Sequence, residues 1–158
     1  MNQTAKDLYQ SVILDHNRNP RSYGELAGAT HQADGFNPIC GDRVTVMLEI
    51  KGSCVTGVGF TAQSCALCRA SASVLMASVA GKTLAEVDVL SRAFLSMITG
   101  GGDELAGDAG AFAGIKDFPA RAKCVMLAWR TIGEALAGNH RIVSTESDSV
   151  ANSATAME

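Results

Sequence analysis

Apolar residues recur at helical spacing near the start of the chain. The stripe from Leu8 to Ile13 predicts a helix over residues 5–16. Thr4 is the expected N-cap, because its hydroxyl can accept a hydrogen bond from a free backbone N–H. Pro20 cannot continue a helix, so the helix is expected to end before it.

Apolar and polar residues alternate in the next part of the chain, which is typical of half-buried strands. The alternation is clearest over residues 43–50 and returns over 55–62, with turn residues at 51–54 between them. We therefore expect a β-hairpin, with a shorter strand around 29–33.

Helical spacing then returns. Ser64 is the expected N-cap of a helix over residues 65–80, which Gly81 ends. Thr83 and Glu86 have the spacing of a capping box and open a further helix that runs to Ile98.

The last part of the chain combines a loop, a helix and a tail. Residues 99–117 are rich in Gly, Ala and Asp and predict a long surface loop. Pro119 suits the first turn of a helix that runs to Ala137. Strands first and helices after predict the α+β class, with one domain over 1–138 and a disordered polar tail over 139–158.

Composition excludes several classes of protein. The 158 residues are 47% hydrophobic, with a net charge of -3, which suits one domain and not a disordered chain. No apolar run approaches the roughly 20 residues of a membrane span. No block of Lys and Arg is present, which argues against nucleic-acid binding. No export signal is visible in the sequence, and the expected location is the cytoplasm.

The five cysteines are the candidate chemistry. Their number is odd, so a disulfide framework is not expected, and each is either packing or thiolate chemistry. Cys40 and Asp42 lie two residues apart in a turn, as half of a metal site or as an incidental cysteine beside a capping aspartate. Cys65 and Cys68 open a helix, a spacing that suits a metal, a redox disulfide or core packing.

The remaining candidates surround the last cysteine. Arg121 and Lys123 make an electropositive setting for Cys124, which favours the thiolate, although a core cysteine is the alternative. Cys54 lies in the predicted turn without chemical neighbours and is left out of the site. His16 is expected to be a helix-end residue, and Trp129 to serve packing.

Several segments, taken in order, resemble the SufU/IscU/NifU-N family of iron–sulfur cluster assembly proteins, and the SufU branch above all. The matching segments, in chain order, are residues 8–16, 19–21, 37–42, 65–66, 70–73, 118–124 and 127–129. Each motif is weak alone, and their order over most of the chain carries the resemblance.

The resemblance implies a fold and a site. The fold is a small three-stranded antiparallel sheet covered by helices, and the metal ligands carry over to Cys40, Asp42, Cys65 and Cys124. Lys123 stands where the IscU branch has a histidine, which favours SufU. Members of that branch resemble zinc-binding proteins that accept persulfide sulfur from a cysteine desulfurase, whereas the IscU branch builds a transient [2Fe–2S] cluster.

Two positions depart from the family pattern. Ser64 replaces a glycine that is common before the second ligand cysteine. Cys68 stands where a small residue without a thiol is usual, and its thiol could compete as a ligand, resolve a persulfide or form a disulfide.

The resemblance leaves the mechanism with four candidate readings. In the first, Cys124 accepts the sulfur, because it follows the long loop, and Arg121 holds Asp42 or a displaced ligand. The others are a cluster scaffold, a metal-free thiol–disulfide enzyme that uses Cys65 and Cys68, and a structural zinc site. Expected partners are a cysteine desulfurase and downstream cluster assembly or carrier proteins, with the chain itself a monomer or weak dimer.

Overall fold

The computed structural model describes residues 3–138 and 142–144 and confirms the α+β class. The elements are α1 (Gln3–Arg18), β1 (His31–Asn37), β2 (Asp42–Lys51), β3 (Cys54–Gln63), α2 (Ala66–Val79), α3 (Leu84–Thr99), a 3₁₀ helix (Asp108–Asp117), α4 (Pro119–Leu136) and β4 (Ile142–Ser144). No helix in the described ranges is long and apolar enough to cross a membrane.

The strands form one sheet in the order β3-β2-β1-β4. The predicted hairpin is confirmed, since β2 and β3 pair antiparallel and Arg43 lies opposite Gln63. The shorter strand lies at His31–Asn37 and not around 29–33, and it pairs antiparallel with β2. Each residue of β1 pairs with a residue of β2, over residues 42–48 of that strand. This pairing extends β1 beyond the point where its own sequence loses an apolar pattern.

The predicted tail over 139–158 lies outside the described residues except for Ile142–Ser144. These three residues pair in parallel with β1 as the edge strand β4, and the disorder expected over the rest of the tail stays a prediction. The open edge of β1 offers unpaired backbone groups to any extended segment, so a strand of this length needs no periodic pattern of its own.

The helices cover one face of the sheet, with α4 against β1 and β2 and with α2 and α3 packed on α4. A side chain at Gly35 of β1 would collide with Leu127 and Thr131, so this glycine permits the close approach of α4. Trp129 is fully buried and stacks on Phe94 at a ring distance of 3.9 Å. Its predicted packing role is therefore confirmed.

The long surface loop predicted over residues 99–117 is wrong over its second half. Asp108–Asp117 form a 3₁₀ helix whose Phe112 and Ile115 are almost completely buried. The Phe112 ring packs edge-on against Tyr9 of α1 and Phe94 of α3. Two large apolar residues among small ones give too weak a period to be read from sequence, yet they suffice to anchor a short helix.

The helix ends match the predictions in part. The capping box of Thr83 and Glu86 is confirmed, with both reciprocal hydrogen bonds present. Cys65, and not Ser64, is the N-cap of α2, because its backbone is extended and its Sγ accepts from the Cys68 N–H. Thr4 is not the N-cap of α1, because the helix already includes Gln3, whose side-chain amide donates to Asp7.

His16 lies in the last turn of α1, as expected, but its ring is buried and not at the surface. Its Nδ1 lies 2.7 Å from Ser73 Oγ of α2, and its Nε2 lies 2.8 Å from an Asp108 carboxylate oxygen. One side chain therefore links α1, α2 and the 3₁₀ helix.

Candidate metal centre

Three side chains that could bind a metal converge at one end of the sheet. The Sγ atoms of Cys40 and Cys124 and a carboxylate oxygen of Asp42 all lie within 4.8 Å of one another. Cys40 comes from the turn after β1, Asp42 begins β2, and Cys124 lies in the second turn of α4. The packing of α4 on β1 and β2 is what brings residues more than 80 positions apart into one site.

The turn between β1 and β2 is built around Asn37. Its carbonyl accepts a hydrogen bond from the Gly41 N–H at 2.8 Å, and its side-chain oxygen accepts from the Ile39 N–H at 3.2 Å. Gly41 has a φ of +75°, a conformation that glycine adopts at little cost. The turn thus places Cys40 and Asp42 on the same side.

Asn37 also contacts the site directly, a role that the sequence analysis missed. The residue is buried, and its Nδ2 donates a hydrogen bond to Cys124 Sγ at 3.6 Å. The sequence offers one indication of a structural role for Asn37, its position at the start of the turn. Asparagine side chains at such positions commonly hydrogen-bond the backbone two residues ahead.

Cys65 joins the site through Asp42. Its backbone N–H donates to one Asp42 carboxylate oxygen at 2.9 Å, and its Sγ donates to the other at 3.4 Å. Cys65, the fourth predicted ligand, is not part of the compact group of three donors. It lies next to that group, in contact with Asp42.

The surroundings of these thiols oppose their ionisation. Burial raises the pKa of the Cys124 thiol far above its usual range, and the neighbouring Cys40, Cys65 and Asp42 raise it further. Partial burial of its sulfur raises the pKa of Cys65 as well, with Asp42 adding to the effect. A cation bound among these thiols would stabilise their thiolate forms.

The donor set fits zinc. Three sulfur atoms and one carboxylate oxygen are four donors of the kinds that zinc takes in a tetrahedral arrangement. Iron accepts the same donors, so ligand chemistry alone does not separate the two metals.

Arg121 and Lys123 lie in α4 shortly before Cys124, and Cys54 lies in β3. Arg121 is exposed and its guanidinium lies over the Phe118 ring, 5.6 Å from the centroid, and no hydrogen bond or ion pair to Asp42 is present among the described residues. Lys123 is partly exposed, one residue before Cys124. Cys54 begins β3 and belongs to none of the described ligand groups.

Cys68 is a core residue directly beneath the site. It is fully buried, and burial is the main reason that its pKa rises to about 12. Its backbone N–H donates to Cys65 Sγ at 3.4 Å, so the main chain of Cys68 helps to hold the Cys65 side chain in place.

The thiols also differ in how far solvent reaches them. Cys40 and Cys65 are exposed, whereas Cys124 is only 5% exposed. A thiol on a partner protein therefore meets Cys40 or Cys65 before Cys124.

Comparison with known proteins gives one consistent result. Residues 8–143 match the family model described as the NifU-like N terminal domain. The zinc-dependent sulfurtransferase SufU of Bacillus subtilis (strain 168) is 34% identical over 86% of this chain and 94% of its own length. The iron–sulfur cluster assembly scaffold protein IscU of Thermotoga maritima is 33% identical over 83% of this chain and 94% of its own.

Solved structures share the fold. A crystal structure titled as an iron–sulfur cluster assembly scaffold protein for the SUF system, from Fervidobacterium islandicum, superposes with a TM-score of 0.76 at 30% identity and covers 82% of this chain and 97% of its own. The N-terminal NifU-like protein of Brucella abortus gives a TM-score of 0.74 at 26% identity, over 84% of this chain and 94% of its own.

Proposed function

This chain belongs to the family of NifU-like N-terminal domains of iron–sulfur cluster assembly, and from that premise we propose that it is a zinc-binding acceptor of persulfide sulfur from a cysteine desulfurase. The observation that carries the proposal is the convergence of Cys40, Asp42 and Cys124 within 4.8 Å, with Cys65 against Asp42.

Zinc has a defined place in this proposal. Cys40, Asp42, Cys65 and Cys124 would hold it, and its charge would keep buried thiols ionised at neutral pH. Asp42 would be the one oxygen donor, and the hydrogen bond from the Cys65 backbone N–H holds its carboxylate in place.

Cys40 is the thiol that we propose meets the donor first, because it is exposed where Cys124 is buried. Its thiolate attacks the outer sulfur of the desulfurase persulfide. A new S–S bond forms at Cys40, the S–S bond of the donor breaks, and the desulfurase cysteine leaves as a thiolate. No oxidant or reductant is consumed in this transfer.

The first reading of the sequence, with Cys124 as the accepting nucleophile and Arg121 holding Asp42 or a displaced ligand, stays a prediction and is the alternative to Cys40. Arg121 would have to leave its position over Phe118 to do so.

Transfer of labelled sulfur from a cysteine desulfurase tests the proposal. We expect Cys40→Ser to abolish persulfide formation on the chain, measured by mass spectrometry of the intact protein, and Cys54→Ser to leave it unchanged. Full transfer to Cys40→Ser with none to Cys124→Ser would assign acceptance to Cys124. Full sulfur transfer to both Cys40→Ser and Cys124→Ser would show that neither cysteine is needed to accept the sulfur.

A cluster scaffold is the second candidate, because relatives named as IscU scaffold proteins match this chain over most of their length. Anaerobic purification followed by metal and acid-labile sulfide analysis separates the two. We expect zinc without sulfide in the wild type and its loss in Cys40→Ala. Iron with matching sulfide would instead identify the scaffold.

The proposed setting is the cytoplasm, with a cysteine desulfurase as donor and cluster assembly or carrier proteins as recipients. A monomer or weak dimer is part of the same proposal, and sedimentation of the full chain tests it.

A further inference from the structure

Resting on the proposed function, we propose that this chain also releases the sulfur that it accepts. Once Cys40 carries a persulfide, the Cys124 thiolate attacks Cys40 Sγ, displaces hydrosulfide and forms a Cys40–Cys124 disulfide. The protein would thus turn bound sulfane sulfur into free sulfide without an external electron donor in that step.

The distance between the two sulfur atoms carries the inference. Cys40 Sγ and Cys124 Sγ lie 3.6 Å apart, so the attacking atom already touches its target. Cys65 differs, since its Sγ is engaged by Asp42 and stands outside the compact group. A disulfide has a bond length of about 2.05 Å, so the two sulfur atoms must approach each other by roughly 1.5 Å.

The surroundings suit the two sulfur atoms to opposite roles. Asn37 Nδ2 donates to Cys124 Sγ, a contact that offsets part of the opposition of burial to negative charge on the attacking atom. Burial of Cys124 limits its reaction with other thiols, whereas the exposure of Cys40 lets the departing hydrosulfide reach solvent. Hydrosulfide is a better leaving group than a cysteine thiolate because its conjugate acid is stronger.

The step balances without a co-reactant. The bond from Cys124 Sγ to Cys40 Sγ forms, the Cys40 Sγ–sulfane bond breaks, and its electron pair leaves with the sulfane sulfur as HS⁻. The sulfane sulfur is reduced by two electrons and the two cysteines are oxidised to the disulfide. A low-molecular-weight thiol or a dithiol protein must then reduce this disulfide before the next cycle.

Formation of the Cys40–Cys124 disulfide should also affect metal binding. A Cys40–Cys124 disulfide removes two thiolate donors and leaves Cys65 and Asp42, which are too few for a stable tetrahedral site. Hydrosulfide release and metal release should therefore occur together, in equal amounts.

The test uses the full chain as purified and loads it chemically, so that no desulfurase is needed. The protein is treated with inorganic polysulfide and desalted, and hydrosulfide, metal release and disulfide-linked peptides are then followed without reductant. We expect hydrosulfide to appear together with a Cys40–Cys124 peptide. Cys124→Ser should retain its persulfide on Cys40, and Cys54→Ser should behave as wild type.

Three outcomes would overturn the inference. These are a Cys40 persulfide as stable in wild type as in Cys124→Ser, migration of the persulfide to Cys124 without hydrosulfide, and a disulfide that joins Cys65. A chain that resolves polysulfide-derived persulfide but takes no sulfur from a desulfurase would reject only the proposed function. A chain that takes sulfur from a desulfurase but does not resolve its Cys40 persulfide would reject only this inference.

Discussion

At the scale of single residues, burial and neighbours give chemically identical thiols different properties. Cys40 is exposed, Cys124 is buried at the candidate metal centre, and Cys68 is buried in the core beneath it. Asp42 is buried as well, and its two oxygens hold the main chain and thiol of Cys65. Its carboxylate therefore has a positioning role in addition to its proposed role as a ligand.

Cys68 should make the folded chain sensitive to alkali. The thiol ionises at a pKa near 9.0 when unfolded and at about 12 when folded, so the folded state binds more protons between these values. Stability is complete below the unfolded pKa and falls as the pH rises toward the folded one. We expect Cys68 to account for a loss of about 3 kcal/mol by about pH 11.

Urea unfolding at about pH 8 and about pH 11 measures this loss. Cys68→Ala should lose less stability than wild type between the two conditions, and Cys54→Ala serves as the matched control. Equal losses in wild type and Cys68→Ala would contradict the prediction.

At the scale of elements, the 3₁₀ helix is a packed part of the domain. Phe112 fits between α1 and α3, while Asp108 at its first turn binds His16 of α1. The helix ends beside Phe118, which directly precedes α4 and its Cys124. Packing of this segment therefore fixes the position of the chain that leads into α4.

Phe112→Ala should destabilise the domain by about 3–5 kcal/mol, the usual cost of removing a buried phenylalanine. Phe118→Ala is the matched control, because its side chain is 46% exposed, and we expect a loss of less than about 1 kcal/mol. Chemical denaturation of both variants gives the two values. Similar small losses would show that the segment is not anchored.

At the scale of the whole molecule, the candidate metal centre joins elements that are distant in sequence. Its four proposed ligands come from the turn after β1, the start of β2, the N-cap of α2 and the second turn of α4. A metal held by all four ligands binds the folded chain and not the unfolded one, so it should stabilise the domain.

Zinc at 100 times its dissociation constant should add about 2.7 kcal/mol of stability. For a domain of this size the melting temperature should rise by about 5–10 °C. Differential scanning calorimetry with and without a chelator measures the shift, which should vanish in Asp42→Ala. An unchanged melting temperature in wild type would contradict a four-ligand site.

Local sequence determined much of this fold. The hairpin, the capping box of Thr83 and Glu86, and the start of α4 at Pro119 depend on residues within a few positions of one another. Propensity, capping and periodicity act over that range, and they are readable from residue type alone. The identity of the candidate ligands was also accessible, because an ordered set of short motifs carried it.

Tertiary structure alone decided the rest. The burial of His16, the anchoring of Phe112, the edge pairing of Ile142–Ser144 and the difference in exposure between Cys40 and Cys124 each depend on residues far away in the chain. The 3.6 Å between Cys40 and Cys124 exists only because α4 packs across β1 and β2. Contacts of this kind depend on how whole elements pack, which no local pattern encodes.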